Sequence, residues 1–343
     1  MVNLADFTPE ELENYLAGLG EPKFRAKQIF SWIHKGVCSF DEMTNLSKSL
    51  REKLSESASV CGAKILEKYP SKLDETVKYL IELDDGNIIE SVLMSYKHGF
   101  TVCASTEVGC PMGCRFCAST LGGLVRRLSP GEILSQITLI GADSGEKISN
   151  IVLMGIGEPL DNYDNVLKFI YLVNHPDGVN IGQRHISLST CGLADKIDAL
   201  AEENLGITLC VSLHGADDKK RSEIMPVNRT YNIERLMKSC RAYVKKTGRR
   251  MIFEYSLIGG VNDTDEDIDN LVKLTHGLIC HINLIPVNPI KERDFKSSRR
   301  VREFCEKLER RGVSATVRRE LGRDISASCG QLRRSKLKGC DSE

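Results

Sequence analysis

Between Phe24 and Ile33 the apolar residues Phe24, Ile29, Phe30, Trp32 and Ile33 recur at spacings close to those of one helix face. The preceding Gly18-Leu19-Gly20-Glu21-Pro22 punctuates the chain as a turn, and residues 1–58 carry no strand-type alternation. They predict a small helical module, either of helix-hairpin-helix type or a plain cap on the rest. Beyond it the period changes. Two strand-like runs, 76–83 and 88–94, flank Asp84-Asp85-Gly86-Asn87, an Asp-Gly hairpin signal, so residues 59–97 read as a β-rich link. From Phe100 onward short apolar runs (150–154, 185–189, 207–212, 251–257, 281–286) alternate with longer periodic segments (130–142, 165–173, 233–246, 265–276). Repeated strand–helix units predict an α/β core over 98–320, a parallel sheet covered by helices and partly or fully closed into a barrel. Residues 321–343 form a C-terminal segment. In such a barrel the reactive groups gather at the C-terminal ends of the strands.

Composition narrows this only a little. A chain of 343 residues, 41% hydrophobic and 27% charged, is of ordinary globular type, and Lys+Arg and Asp+Glu balance at 47 each. The distribution is uneven. From Lys291 to the end 16 Lys/Arg stand against 9 Asp/Glu, a net +7, which suits either a surface facing nucleic-acid phosphates or a solvated helix face. The start lacks a basic stretch followed by an apolar one, and no apolar run approaches the ~20 residues of a membrane span. The chain therefore reads as cytoplasmic, with no membrane partner, and as a monomer. Its 13 cysteines should then be thiols, metal ligands or redox groups rather than a disulfide framework. Cys38, Cys61, Cys191, Cys210, Cys240, Cys280 and Cys305 read as small buried hydrophobes, and Cys340 as exposed in a basic end.

One loop carries chemistry. Gly109-Cys110-Pro111-Met112-Gly113-Cys114-Arg115-Phe116-Cys117 packs three thiols at C-x3-C-x2-C spacing, and thiolates are the usual ligands of iron–sulfur clusters. Three ligands leave one iron open to a cofactor. A structural zinc site would want a fourth Cys or His in a second pair, and none follows. The spacing resembles the signature of the radical S-adenosylmethionine (SAM) superfamily. That resemblance implies a [4Fe–4S] cluster on Cys110, Cys114 and Cys117, whose open iron chelates SAM and yields a 5′-deoxyadenosyl radical. It also implies cofactor contacts from Gly157 and Glu158 in Met154-Gly155-Ile156-Gly157-Glu158-Pro159, from Ser189, from Ser212-Leu213-His214 and from Asn288.

A narrower resemblance covers nearly the whole chain. Glu90-Ser91-Val92, Cys103 to Cys110, Met154 to Pro159 and Asp324-Ile325-Ser326-Ala327-Ser328-Cys329-Gly330-Gln331-Leu332 are similar to the RlmN family of RNA methyltransferases. Where the family more often has Ala, this chain has Ser326 or Ser328. The family methylates C2 of adenine 2503 in 23S rRNA and, in some members, of adenine 37 in tRNA. C2 of adenine is too electron-poor to attack a sulfonium, whereas a thiolate can. The resemblance implies that Cys329 takes the methyl, that Glu90 acts as general base, and that Cys103 resolves an RNA–protein link through a transient disulfide. A flavodoxin or ferredoxin would supply the electron. The sister family acting at C8 of the same adenosine, which confers antibiotic resistance, shares the cluster and both cysteines but typically has Ala where this chain has Pro159. A radical activase or a radical enzyme acting on small molecules would not need the Cys103/Cys329 pair. A non-catalytic RNA-binding protein with a structural metal would never cleave SAM.

Overall fold

The computed structural model describes residues 1–333 and the backbone of 335–336; Arg334 and Cys340 lie outside the described residues. The chain opens with three helices, Pro9–Gly18, Phe24–Ile33 and Lys48–Ser55. Thr8 starts the first, accepting from the Glu11 N–H while the Glu11 carboxylate accepts from Thr8 N–H, with Pro9 at the first helical position. The second buries Ala26, Ile29, Phe30 and Ile33. Phe24, read as part of that face, instead points to solvent, 59% exposed. Residues 1–58 also hold a short parallel pairing of Val2–Asn3 with Ala58–Ser59, too brief to leave an alternation in the sequence.

Three antiparallel strands follow: Ala63–Pro70, Val77–Leu83 and Asn87–Tyr96. Gly86 takes φ +76° in the turn between the last two, a conformation that costs a residue with a Cβ. The sheet then continues through Gly99–Cys103, Ile148–Leu153, Ile186–Thr190, Thr208–Ser212, Met251–Leu257, Cys280–Pro286 and Ala315–Val317. These seven pair parallel throughout. Among the described residues the outermost strands do not pair with each other, so the sheet is open, as a partial barrel requires.

The Asn87–Tyr96 strand is buried on both faces from Ile88 to Met94. Side chains alternate along it. One face meets the Pro130–Ser144 helix, where the Ser91 hydroxyl donates to Gln136 Oε1 at 2.6 Å. The other face carries Glu90, Val92 and Met94; the Arg333 N–H reaches Glu90 there, while Ser335 pairs edge to edge with Ile88. Burial of the Leu, Ile and Val side chains that line both layers, at about 1.5–3 kcal/mol each, holds the sheet and its covering helices together.

Candidate active site

Each parallel strand ends beside one cavity of about 140 Å³. The loop after Gly99–Cys103 brings Cys110, Cys114 and Cys117 to it, and the next strand brings Gly157 and Glu158. Ser189, Ser212, His214, Glu254, Asn288 and Arg318 complete its rim from the remaining strand ends.

Local backbone constraints shape the cysteine loop. Gly109 has φ +82°, and a Cβ there would meet the Gly123 carbonyl oxygen at 1.9 Å. The Cys110 N–H donates to that same carbonyl at 3.1 Å, and Arg115 N–H to Ile224 O at 2.9 Å. Cys110 and Cys114 are buried and Cys117 half-buried. Burial pushes all three thiols above their ordinary range, and a bound cation would draw off their protons. Among the described residues no three His, Cys, Asp or Glu side chains converge as a single-ion cage. Three thiols from one loop around one cavity suit an iron–sulfur cluster.

Gly157 has φ +107°, and a Cβ there would strike the Glu107 side chain at 2.6 Å. Glu158 is buried and accepts from Leu160 N–H (3.0 Å) and Cys191 N–H (2.7 Å). Its carboxylate is thereby fixed, with remaining lone pairs free for an amino group. His214, at φ +50°, accepts the Ser256 N–H on Nδ1 at 2.9 Å. Burial, then the Arg221 charge, pushes its pKa down to about 3, so the ring is neutral. Leu213 differs from its neighbours: its side chain is fully buried in the core rather than at the cavity. Asn288 donates to the Cys329 carbonyl at 3.0 Å, so it clasps the C-terminal segment as well as lining the cavity.

Cys329 borders this cavity and also a second of about 40 Å³, lined by Met94, Tyr96, Arg319 and Glu320. Cys103 stands opposite Val92 in the antiparallel ladder, on the sheet face that carries Glu90 and Met94. It is buried, and burial and then Cys329 push its thiol up to about 12. Glu90 lines neither cavity. Its Oε1 lies 3.3 Å from Lys78 Nζ, and its Oε2 accepts the Arg333 N–H at 2.9 Å. Burial raises its pKa against the pull of Lys78 and that amide.

Sequence reasoning missed Arg318, Glu254 and Met154. Both terminal nitrogens of Arg318 lie 3.5 Å from Met154 Sδ, and Nη1 is 3.5 Å from Glu254 Oε2. Cys329 and then Glu254 raise the pKa of that guanidinium against its burial. Part of the basic tail is therefore internal. Arg300 and Lys307 pair with Asp265 and Glu303, Arg311 with Asp269, and Arg333 with Glu292. Of the other cysteines, Cys210 and Cys240 are buried as expected, whereas Cys38 is exposed and Cys61, Cys280 and Cys305 are half-buried. Cys191 borders the cavity.

An open parallel α/β sheet whose strand ends surround three clustered thiols and a buried glutamate defines the class. Residues 105–275 match the radical SAM superfamily model, and the chain is a radical SAM enzyme. Residues 2–60 match the model of the ribosomal RNA large subunit methyltransferase N-terminal domain. The chain is 53% identical to a probable dual-specificity RNA methyltransferase RlmN of Alkaliphilus metalliredigens, covering 97% of this chain and 95% of that one. A Clostridium perfringens protein of the same description is 54% identical, with 98% of each covered. The crystal structure of a radical SAM methyltransferase from Sphaerobacter thermophilus superposes with TM-score 0.93 at 42% identity, over 97% of this chain and 99% of that one. This chain belongs to the RlmN family of radical SAM RNA methyltransferases. Among the described residues no helix is long and apolar enough to cross a membrane.

Proposed function

We propose that the chain methylates C2 of adenine in RNA, at adenine 2503 of 23S rRNA and adenine 37 of some tRNAs, by way of an S-methylcysteine at Cys329. The observation that carries this reading is the position of Cys329 in the wall shared by two cavities, one bordered by the three cluster thiols. A cysteine so placed can accept a methyl from the cofactor side and present it to a base on the other.

A [4Fe–4S] cluster on Cys110, Cys114 and Cys117, reduced by a flavodoxin or ferredoxin and chelating SAM, would supply the 5′-deoxyadenosyl radical. Glu158, set by two backbone N–H groups, accepts from the SAM amino group; Gly157, Ser189, Ser212, Leu213 (through its backbone), His214 and Asn288 position the rest. Cys329 attacks the sulfonium methyl of one SAM molecule. Hydrogen abstraction from the S-methyl then leaves a carbon-centred radical, which adds to C2. Glu90 takes the C2 proton once the Arg333 amide and Lys78 yield its oxygens. Cys103 attacks the Cys329 sulfur, forming a disulfide and breaking the sulfur–carbon bond, and the freed methylene carbon takes a proton to become the C2 methyl. The adduct's unpaired electron would pass to the oxidised cluster.

The test is reaction of the anaerobically reconstituted protein with unmodified 23S rRNA, followed by mass spectrometry of the nucleosides. The expected product is 2-methyladenosine. A product methylated at C8 would assign the chain to the sister activity, and no methylated nucleoside together with no 5′-deoxyadenosine would overturn the reading.

A further inference from the structure

Arg221 is the largest side chain buried completely, at 0% exposure, in the short Asp218–Ile224 helix. Its nitrogens are all engaged, and every acceptor is neutral. Nε donates to Leu213 O at 3.0 Å, and Nη1 to Asn228 Oδ1 at 2.8 Å and Tyr231 O at 3.4 Å. Nη2 donates to Cys191 O at 2.7 Å and Ser212 O at 3.4 Å. Asp218, one turn earlier, spends Oδ1 on Asn228 Nδ2 (2.9 Å) and Ile233 N–H (2.8 Å). It makes no direct hydrogen bond to Arg221, and its charge acts on the guanidinium only at longer range. A cation taken out of water without an opposite charge is expensive, and proteins pair such groups.

What lies beside Arg221 identifies the missing charge. Its guanidinium binds the carbonyls of Cys191 and Ser212, which line the cavity together with Cys114. The same helix clamps the cysteine loop, through Arg115 Nη1 to Glu223 O at 3.3 Å and Arg115 N–H to Ile224 O at 2.9 Å. Three thiolates around an iron–sulfide core form an anion on that side of the cavity. We infer that Arg221 is a fixed counter-charge to the cluster, placed behind the cavity wall at Cys191 and Ser212 to favour entry of the electron that starts the chemistry. The inference rests on the cluster reading given above. Arg221 touches neither cofactor nor RNA in this account; it is a positioning residue acting through charge.

The readout is the cluster's midpoint potential, followed by electron paramagnetic resonance in the reconstituted full chain without SAM or RNA. Arg221→Gln should make reduction at least tenfold less favourable, about 59 mV more negative for one electron, while Arg221→Lys should stay closer to the parent. The exchange pair Asp218→Asn with Asn228→Asp keeps the guanidinium but sets a carboxylate directly against it, and should shift the potential the same way as Arg221→Gln. If Gln and the exchange pair lose iron uptake and Lys retains it, charge is again the cause. Equal potentials in all variants, or equal loss of iron in all three, would overturn the inference and leave Arg221 a structural anchor for the 191 and 212 strand ends. A parent chain that takes up no iron and sulfide would overturn the cluster reading itself.

Discussion

The two walls of the cavity are built differently. The cluster wall is one loop, with Cys110, Cys114 and Cys117 inside eight consecutive residues, and its shape follows from local turns such as the one at Gly109. The opposite wall carries Arg318 and Cys329, brought in from beyond the last strand, with Glu90 and Cys103 behind it on two neighbouring strands. Its C-terminal piece is pinned by separate hydrogen bonds: Ala118 N–H to Gly330 O, Ser119 Oγ to Leu332 O, Asn288 to Cys329 O, and Arg333 N–H to Glu90. Damage to the first wall should therefore remove the radical source outright. Damage to the second should leave the radical source intact and stop the reaction at a defined stage.

The largest effects separate the walls. Replacing Cys110, Cys114 or Cys117 with Ala should abolish both cluster absorbance and 5′-deoxyadenosine formation. A single variant that still bound four irons and cleaved SAM would remove that residue from the ligand set. Cys329→Ala should retain the cluster yet show no methylated protein and no methylated RNA. Cys103→Ala keeps the early steps, so it should accumulate an RNA–protein adduct through Cys329 that survives reductant as a shifted band on a denaturing gel. Normal turnover with no such band would return Cys103 to an ordinary strand cysteine.

Glu90→Gln should lower RNA turnover by on the order of 10²–10⁴, the range of general acid–base catalysis, while methyl loading on Cys329 stays at the parent level. Equal loss of both would mean that Glu90 serves only to hold the C-terminal segment. Asn288→Ala deletes one bond to the Cys329 carbonyl, worth about 1 kcal/mol. Faster hydrogen exchange should then appear in residues 321–333, with iron content unchanged.

The smallest effect belongs to the cluster wall and is read as pH-dependent stability. Glu107 is fully buried, with Oε1 lacking any partner and Oε2 accepting the Glu158 N–H at 2.9 Å. Burial, and then the neighbouring carboxyls Asp161 and Glu158, push its pKa up to about 8. The folded chain thus holds this proton where the unfolded chain has lost it. Stability from this group falls as pH rises from about 4.5 to about 8. Glu107→Gln should raise the melting temperature by a few degrees more at pH 8 than at pH 5. An equal change at both values would show that Glu107 is not held protonated.

The same contrast explains what could be read from the sequence. Three thiols in one loop, and strands such as Met251–Leu257 with apolar runs bounded by polar turns, are local patterns and were legible. The Val301–Arg310 helix was not, because its buried stripe of Phe304 and Leu308 is thin within a charged run. Its cations and those flanking it do lie at the surface, where Arg300, Lys307 and Arg311 pair with neighbouring acids. Arg318 follows a strand of only three residues, Ala315–Val317, too short to announce a strand end. Nothing in the order of residues brings Arg318 beside Met154 or sets the backbone of residue 333 over Glu90. Those contacts arise only when the sheet assembles.

Passage of the methyl through Cys329 is the central claim, and isotope tracing tests it most directly. The reconstituted protein would be given SAM bearing a fully deuterated methyl, then unmodified RNA, with peptides and nucleosides weighed at each stage. The account predicts label first on the Cys329 peptide, then on adenine C2 with one deuterium lost to the radical and replaced by hydrogen. A methyl that reaches RNA with all its deuterium, or that never resides on Cys329, would contradict it.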